Sequence, residues 1–321
     1  MFKKLSTYIL ITMLSFAASA SEDSISQFTY GYLKRVNDFL SEGDYENAEK
    51  ELSIISKRYF LNEQSYERSL INQLWGNLYA TIGDYQKAID SYEASLRFRK
   101  IPLITNLQVR ANLAQCYFQT KDFDKVIETL LTYKNIAEQR GQEFSPQNMI
   151  LLGIAYYYLE NFEEAYNYIS AANDNSLKYK EDWLKYELAL AVKLNKMNDA
   201  IDVGQILVYI NPDKKEYWKQ VSGLYYTQAK DSESLAGLEL AFDNQLLEEN
   251  KEYQDLARYY LYKGLPQKAV KVLIDGLNKQ KLDENKENLE LIADSFFIAR
   301  YRKNVIIYLE KSLGLEPDPD V

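Results

Sequence analysis

The sequence predicts an all-α fold of about eight helical hairpins, on three observations. Glycine and proline are scarce, 12 and 6 in 321 residues, which suits a helix-rich chain better than a turn-rich β-sandwich. The stretch "GNLYATIGDYQKAIDSYEASL", Gly76 to Leu96, reads as a helix, a tight turn at Gly83-Asp84 and a second helix. The same pattern returns along the chain at spacings of 34 to 40 residues.

The hairpins can be taken in order by aligning each on the small residue of its second helix, where two helices must cross closely. These anchors are Ala48, Ala88, Val126, Ala165, Ala200, Ser234, Ala269 and Val305. The first four hairpins turn at Gly43-Asp44-Tyr45, Gly83-Asp84-Tyr85, Lys121-Asp122-Phe123 and Glu160-Asn161-Phe162. Glycine in such a turn accepts a positive φ without a Cβ clash. Tyr79, Tyr117, Tyr156, Tyr225, Tyr260 and Phe296 each precede an anchor by nine residues, where an aromatic ring fills the gap inside the hairpin. Pro212 and Pro317 follow the fifth and eighth anchors by twelve and stop the second helix, because proline removes a donor and clashes with the preceding turn.

Two helices per unit at a period near 34 resemble the tetratricopeptide repeat, over residues from about 30 to 317. The resemblance implies a right-handed superhelical solenoid, one array over residues 21–321, in which each hairpin's apolar face is covered by the next. The first and last copies depart most, with Arg35 and Val36 where the family favours Leu and Gly, and Arg300 at the last turn. Terminal repeats are often atypical. The last apolar face is left without a solvating capping helix unless residues 306–315 serve as the cap.

The N-terminus "MFKKLSTYILITMLSFAASA" has Lys3 and Lys4, an apolar stretch from Leu5 to Phe16, and the small residues Ala18-Ser19-Ala20. This is the pattern of a signal peptide cleaved after Ala20, with an apolar region too short to span a membrane. The exported chain then has no transmembrane segment, and a periplasmic location is expected. Loss of the two lysines takes the formal net charge from −9 to −11. Such an acidic chain lacks the basic footprint of a nucleic-acid binder.

Catalytic equipment is sparse. There is no histidine, the usual general base near neutral pH and a common metal ligand. One cysteine, Cys116, allows neither a disulfide nor a CxxC site, and it reads as a small core residue. Acid pairs such as Glu163-Glu164 and Glu248-Glu249 fall on helix exteriors or in turns, the usual place of solvated charge. No enzyme activity, metal or cofactor is therefore expected. A cell-wall hydrolase is the enzymatic alternative, but no span free of the repeat is long enough for its catalytic domain.

Recognition is then the expected function. In the resembled family the first helices line a concave groove. Counting back from the anchors puts amides first (Gln73, Asn77, Gln115), then an apolar zone with Ile154, then cations (Lys185, Lys219, Arg258). An aromatic row with Phe118, Tyr157 and Tyr226 lies beside them, and Tyr158 and Tyr262 follow. These twelve residues are the candidate partner-binding set. An extended peptide could meet them in order with its backbone, its side chains and a carboxylate or acidic segment. Two local readings stay open: the aromatic row could pack between first helices, and the lysines could pair along one helix, Asp182 with Lys185 and Glu216 with Lys219.

The C-terminal half carries a narrower resemblance. "KKEYWKQVSGLYYTQ", "LAGLELAF", "ARYYLYKGLPQKAVKVLIDGL" and "ENLELIADSFFIAR" are similar to repeat proteins encoded beside TonB, ExbB and ExbD in Gram-negative bacteria, over roughly residues 213–313. That resemblance implies a periplasmic accessory of TonB-dependent energy transduction for iron and nutrient uptake. An assembly factor for the cell envelope or outer membrane is the alternative.

Overall fold

The structure, a computed structural model, describes residues 25–58, 66–98, 101–228 and 230–315. The leader expected over residues 1–20, its cleavage after Ala20, and the stop at Pro317 lie outside the described residues. Among the described residues there are sixteen α-helices and no strand, so the all-α repeat expectation holds. No helix there is long and apolar enough to cross a membrane. The chain divides between Lys178 and Tyr179 into two compact units, each of four hairpins.

The first unit pairs α1 (Gln27–Glu42) with α2 (Tyr45–Arg58), α3 (Tyr66–Thr81) with α4 (Tyr85–Leu96), α5 (Leu103–Gln119) with α6 (Phe123–Gln139), and α7 (Pro146–Tyr158) with α8 (Phe162–Asp174). The second pairs α9 (Glu181–Lys193) with α10 (Met197–Ile210), α11 (Lys215–Thr227) with α12 (Asp231–Asp243), α13 (Asn250–Tyr262) with α14 (Pro266–Asn278), and α15 (Lys286–Ile298) with α16 (Arg302–Leu313). Within each unit the second helix of a hairpin packs on the first helix of the next. As expected, α10 ends before Pro212.

The turns inside the hairpins share one chemistry. Gly43, Gly83, Lys121, Glu160, Asn195, Gly264 and Arg300 all take left-handed backbone, with φ from 58° to 84°. The next residue caps the second helix where it is Asp or Asn. The side-chain oxygens of Asp44, Asp84, Asp122 and Asn161 accept from the backbone N–H three residues on, at 3.2 to 3.4 Å. Each such cap satisfies a donor that the first helical turn leaves unpaired.

The anchors are buried in the first seven hairpins, and Val305 in the eighth is only half-buried. The aromatics nine residues earlier pack as expected: Tyr117, Tyr260 and Phe296 are buried, and Tyr79, Tyr156 and Tyr225 are half-buried. The hydroxyls of Tyr117 and Tyr260 donate to Glu93 at 2.5 Å and to Glu239 at 2.7 Å. Helices α3 and α4 cross closely at Gly76. A Cβ on Gly76 would stand 2.5 Å from the ring of Tyr92, so only glycine fits. Cys116 sits in the core of hairpins two to four, and burial pushes its thiol up to about 12, which leaves it inert.

At the far end of the second unit, residues 306–315 do not form a solvating cap. Val305 and Tyr308 pack onto the core, but Ile306, Leu309 and Leu313 stay exposed on the other side of α16.

Candidate functional site

The second unit contains a cleft of about 540 Å³ at the junction of α11, α12 and α13. Lys219, Ser222, Gly223 and Tyr226 line it from α11, Ser234 and Leu238 from α12, and Glu252, Asp255, Leu256 and Tyr259 from α13. Here α12 packs less closely on α13 than the other second helices of the second unit do on their successors. Its floor is closed by Ser222, whose hydroxyl donates to the backbone carbonyl of Ser234 at 2.6 Å. Gly223 leaves the α11 wall low: a Cβ there would meet nothing within 4 Å.

The cleft is polar at one end and aromatic at the other. Glu252 is nearly buried, which alone would raise its pKa. Backbone N–H groups of Glu248 and Glu249 donate to it at 2.8 and 3.1 Å, and Lys219 donates at 2.9 Å. These donors outweigh burial and hold its pKa down to about 2. Asp255 is exposed on the cleft wall and has no ion-pair or hydrogen-bond partner among the described residues. At the aromatic end, Tyr226 is 63% exposed and meets Tyr259 edge-on, with ring centroids 6.5 Å apart. Tyr259 in turn stacks on Tyr262, and Lys263 lies over both rings. The arrangement presents large rigid apolar area with hydroxyl tips beside one free carboxylate. Among the described residues no three His, Cys, Asp or Glu side chains are placed to hold a metal.

The twelve candidate residues fall in both units. In the first unit the expected amide zone is corrected. Gln73 and Asn77 are buried, and Asn77 accepts from the Tyr92 hydroxyl at 2.7 Å and from Asn112 at 3.3 Å. Asn77 thus ties its hairpin to the next, and neither amide faces a ligand. Gln115 is half-buried, and its Oε1, like that of Gln73, has no hydrogen-bond partner. Ile154 is buried core, so it too is withdrawn from the surface. Phe118, Tyr157 and Tyr158 form a cluster with the turn residues Phe123 and Phe162, in which Phe123 and Tyr158 stack at 4.5 Å. The packing alternative thus describes Phe118 and Tyr157, both half-buried, while Tyr158 stays exposed.

In the second unit each of the three cations is paired, and for Lys185 the local alternative with Asp182 describes part of the pairing. Lys185 meets Glu181 at 3.1 Å and Asp182 at 3.4 Å. Lys219 pairs across helices with Glu252 and not with Glu216. Arg258 meets Glu287 at 2.8 Å. The three are not brought together as a receptor for a carboxylate. Tyr226 and Tyr262 remain well exposed.

Sequence reasoning missed the acid partners. Glu181 accepts from Lys214 at 2.6 Å and from the Tyr217 hydroxyl, and these hydrogen bonds hold its pKa down to about 2. Glu181 and Lys214 are 33 residues apart, as are Lys219 and Glu252. That spacing, one repeat, sets residues side by side on neighbouring first helices and was the signal available.

A chain of helical hairpins with small crossing residues and capped left-handed turns belongs to the α-repeat class. The tetratricopeptide-repeat family model matches residues 71–100. Among solved structures, the apo form of RapI is similar at 11% identity with a TM-score of 0.50, over 88% of this chain and 98% of that one. A tetratricopeptide repeat protein from Parabacteroides merdae ATCC 43184 is similar at 16% identity and a TM-score of 0.47, over 84% and 100%. YrrB, described as a TPR protein with an unusual peptide-binding site, is similar at 13% identity and a TM-score of 0.46, over 59% and 91%. At these identities the likeness concerns the fold alone. No curated protein sequence matches the chain.

Proposed function

We propose that this chain is an exported, non-enzymatic scaffold that holds a protein or peptide segment on the first-helix face of its second unit. The observation that carries the reading is the cleft between α11 and α13, lined by exposed Tyr226, half-buried Tyr259 and the unpaired Asp255, with exposed Tyr262 stacked on Tyr259 at its edge. Tyrosines of this kind are favoured interface anchors, since they bring area and a directional hydroxyl at small entropic cost. The tripartite N-terminus supports export to the periplasm. Similarity of residues 213–313 to the repeat proteins beside TonB, ExbB and ExbD supports the periplasmic parts of that system as partners.

The test is titration calorimetry of the purified chain with the periplasmic domains of TonB and ExbD. Binding of one of them, weakened roughly thirtyfold by Tyr226→Ala and left within about a factor of two by Lys87→Ala on an outer helix, supports the reading. If both domains fail to bind, the TonB assignment falls and the envelope-assembly alternative takes its place. If an outer-helix change abolishes binding while Tyr226→Ala does not, the cleft is not the site. Cell fractionation with intact-mass measurement should find the chain beginning at Ser21, and a mass retaining Met1 would refute export by cleavage.

A further inference from the structure

The middle of the cleft carries a charge that the chain itself does not answer. Residues of α11 and α13 face each other at a spacing of 33, as in the Lys219–Glu252 ion pair at 2.9 Å and the Tyr226–Tyr259 ring contact at 6.5 Å. The ion pair bounds one end of the cleft and the rings bound the other. Asp255 stands between them, one helical turn from Glu252 and one from Tyr259 on α13. The same register sets it opposite Ser222 and Gly223 of α11. Ser222 turns its hydroxyl to Ser234, and Gly223 has no side chain to offer. A side chain arriving from outside therefore has room beside the Asp255 carboxylate, since even a Cβ on Gly223 would meet nothing within 4 Å.

The other charges and rings around the cleft are largely matched within the chain. Glu252 takes Lys215 and Lys219, and Arg258 goes to Glu287. Lys263 lies over the rings of Tyr259 and Tyr262 at 5.9 and 5.3 Å. Lys251, one turn before Asp255, makes no ion pair with it. Tyr226 has no cation over its ring among the described residues. The cleft is thus lined by one lysine against two carboxylates, and its unmatched groups are the Asp255 carboxylate and the Tyr226 ring. A guanidinium satisfies both, because it is planar, stacks on an aromatic face and gives paired N–H donors to a carboxylate. We infer that the cleft takes a cationic side chain of the segment it holds, arginine in preference to lysine. The inference rests on the docking reading of the cleft and deepens it, and the partner it selects is basic, opposite in charge to the acidic segment expected from the row of lysines. The formal net charge of −9 also draws such a segment in.

The probe is the capped pentapeptide acetyl-Ser-Gly-Arg-Gly-Ser-amide, titrated into the isotope-labelled full chain and followed by backbone amide shifts. Counterparts with citrulline, the neutral analogue of arginine, and with glutamate in the central place complete the set. The expected result is saturable shifts at Gly223, Tyr226, Asp255 and Tyr259 with the arginine peptide, and binding about tenfold weaker with citrulline. Asp255→Asn should weaken the arginine peptide about tenfold and the citrulline peptide little, and Asp255→Lys should turn the preference toward glutamate. Asp255 is exposed and unpaired, so circular dichroism and the thermal midpoint should hold in both variants. Equal binding of arginine and citrulline, an Asp255→Asn protein that binds arginine like the parent, or binding of the glutamate peptide alone overturns the inference. In those cases the docking reading still stands if Tyr226→Ala weakens whichever peptide binds, and falls if it does not. If no peptide shifts the cleft amides the cation inference is overturned, and the docking reading is decided by the titration with the TonB and ExbD domains.

Discussion

Replacing Gly76 by alanine adds one carbon at a tight crossing in the first unit. The new Cβ would lie 2.5 Å from two carbons of the Tyr92 ring, against the ~3.5–4.0 Å at which carbon atoms rest. The ring cannot swing aside easily: Tyr92 is 1% exposed and its hydroxyl is held by Asn77 at 2.7 Å. Helices α3 and α4 must therefore separate by about 1 Å, and overpacking of this kind costs about 1–3 kcal/mol. Alanine is the better helix former and returns about 0.8–1.0 kcal/mol. The net is a loss of about 0–2 kcal/mol, or a fall of up to about 8 °C in the midpoint of a unit of this size. Gly223 supplies the control. It too lies inside a helix, but a Cβ there meets nothing, so Gly223→Ala keeps the propensity gain of about 0.8–1.0 kcal/mol without the clash. Urea unfolding followed by circular dichroism should raise the Gly223→Ala midpoint and not the Gly76→Ala midpoint. A Gly76→Ala protein stabilised as much as Gly223→Ala would refute the crossing geometry and with it the close α3–α4 contact.

Two further outcomes concern the turns and the charges. Glu160 holds a left-handed φ of 60° at an exposed turn, which costs a side-chain-bearing residue ~1–2 kcal/mol, partly offset by glycine's greater unfolded freedom of ~0.5–1 kcal/mol; Glu160→Gly should raise the urea midpoint of the first unit modestly, and a lower midpoint would contradict the turn assignment. Glu181 and Glu252 both have folded pKa values of about 2, below the unfolded value of 4.5, so the stability they contribute is fully present above about 4.5 and is lost as pH falls toward 2. Urea midpoints of the second unit should drop across that window in the parent and drop less in Glu181→Gln and Glu252→Gln; unchanged pH profiles in both variants would show that these carboxylates are not held by their lysines.

The hairpins were legible in the sequence because their rules are local. A small anchor, a ring nine residues earlier and an Asp or Asn before the second helix each act within about ten residues, so period and residue type sufficed to place Ala88, Tyr117 or Asp122. The candidate site was less legible, because a row on a helical wheel does not show which neighbour lies across it. Asn77 reads as a surface amide until Tyr92 and Asn112 are seen to use its oxygen. Lys219 reads as a free cation until Glu252, 33 residues on, is seen beside it. The cleft had no signal of its own, since it lies where α12 sits more loosely on α13 and not at any one residue.

The shared oxygen of Asn77 makes the order of the hairpins matter. Apolar faces are generic, and one leucine-lined face will accept another. Asn77 differs in that its single Oδ1 takes a hydrogen bond from Tyr92 of its own hairpin and from Asn112 of the next. The residue fourteen before the anchor, Asn112 in the third hairpin, is Leu151 in the fourth. Excising the third hairpin would set Leu151 over Asn77, and moving that hairpin elsewhere would bury the Asn112 amide without its acceptor, at a cost of about 1–3 kcal/mol. In the second unit Gln254 and Asn288 make a like match, at 2.6 Å, between the seventh and eighth hairpins. Such pairs give particular seams an address. Gene duplication can lengthen a chain of this kind at any seam that is purely apolar, but shuffling its members is penalised wherever a buried amide expects one specific neighbour.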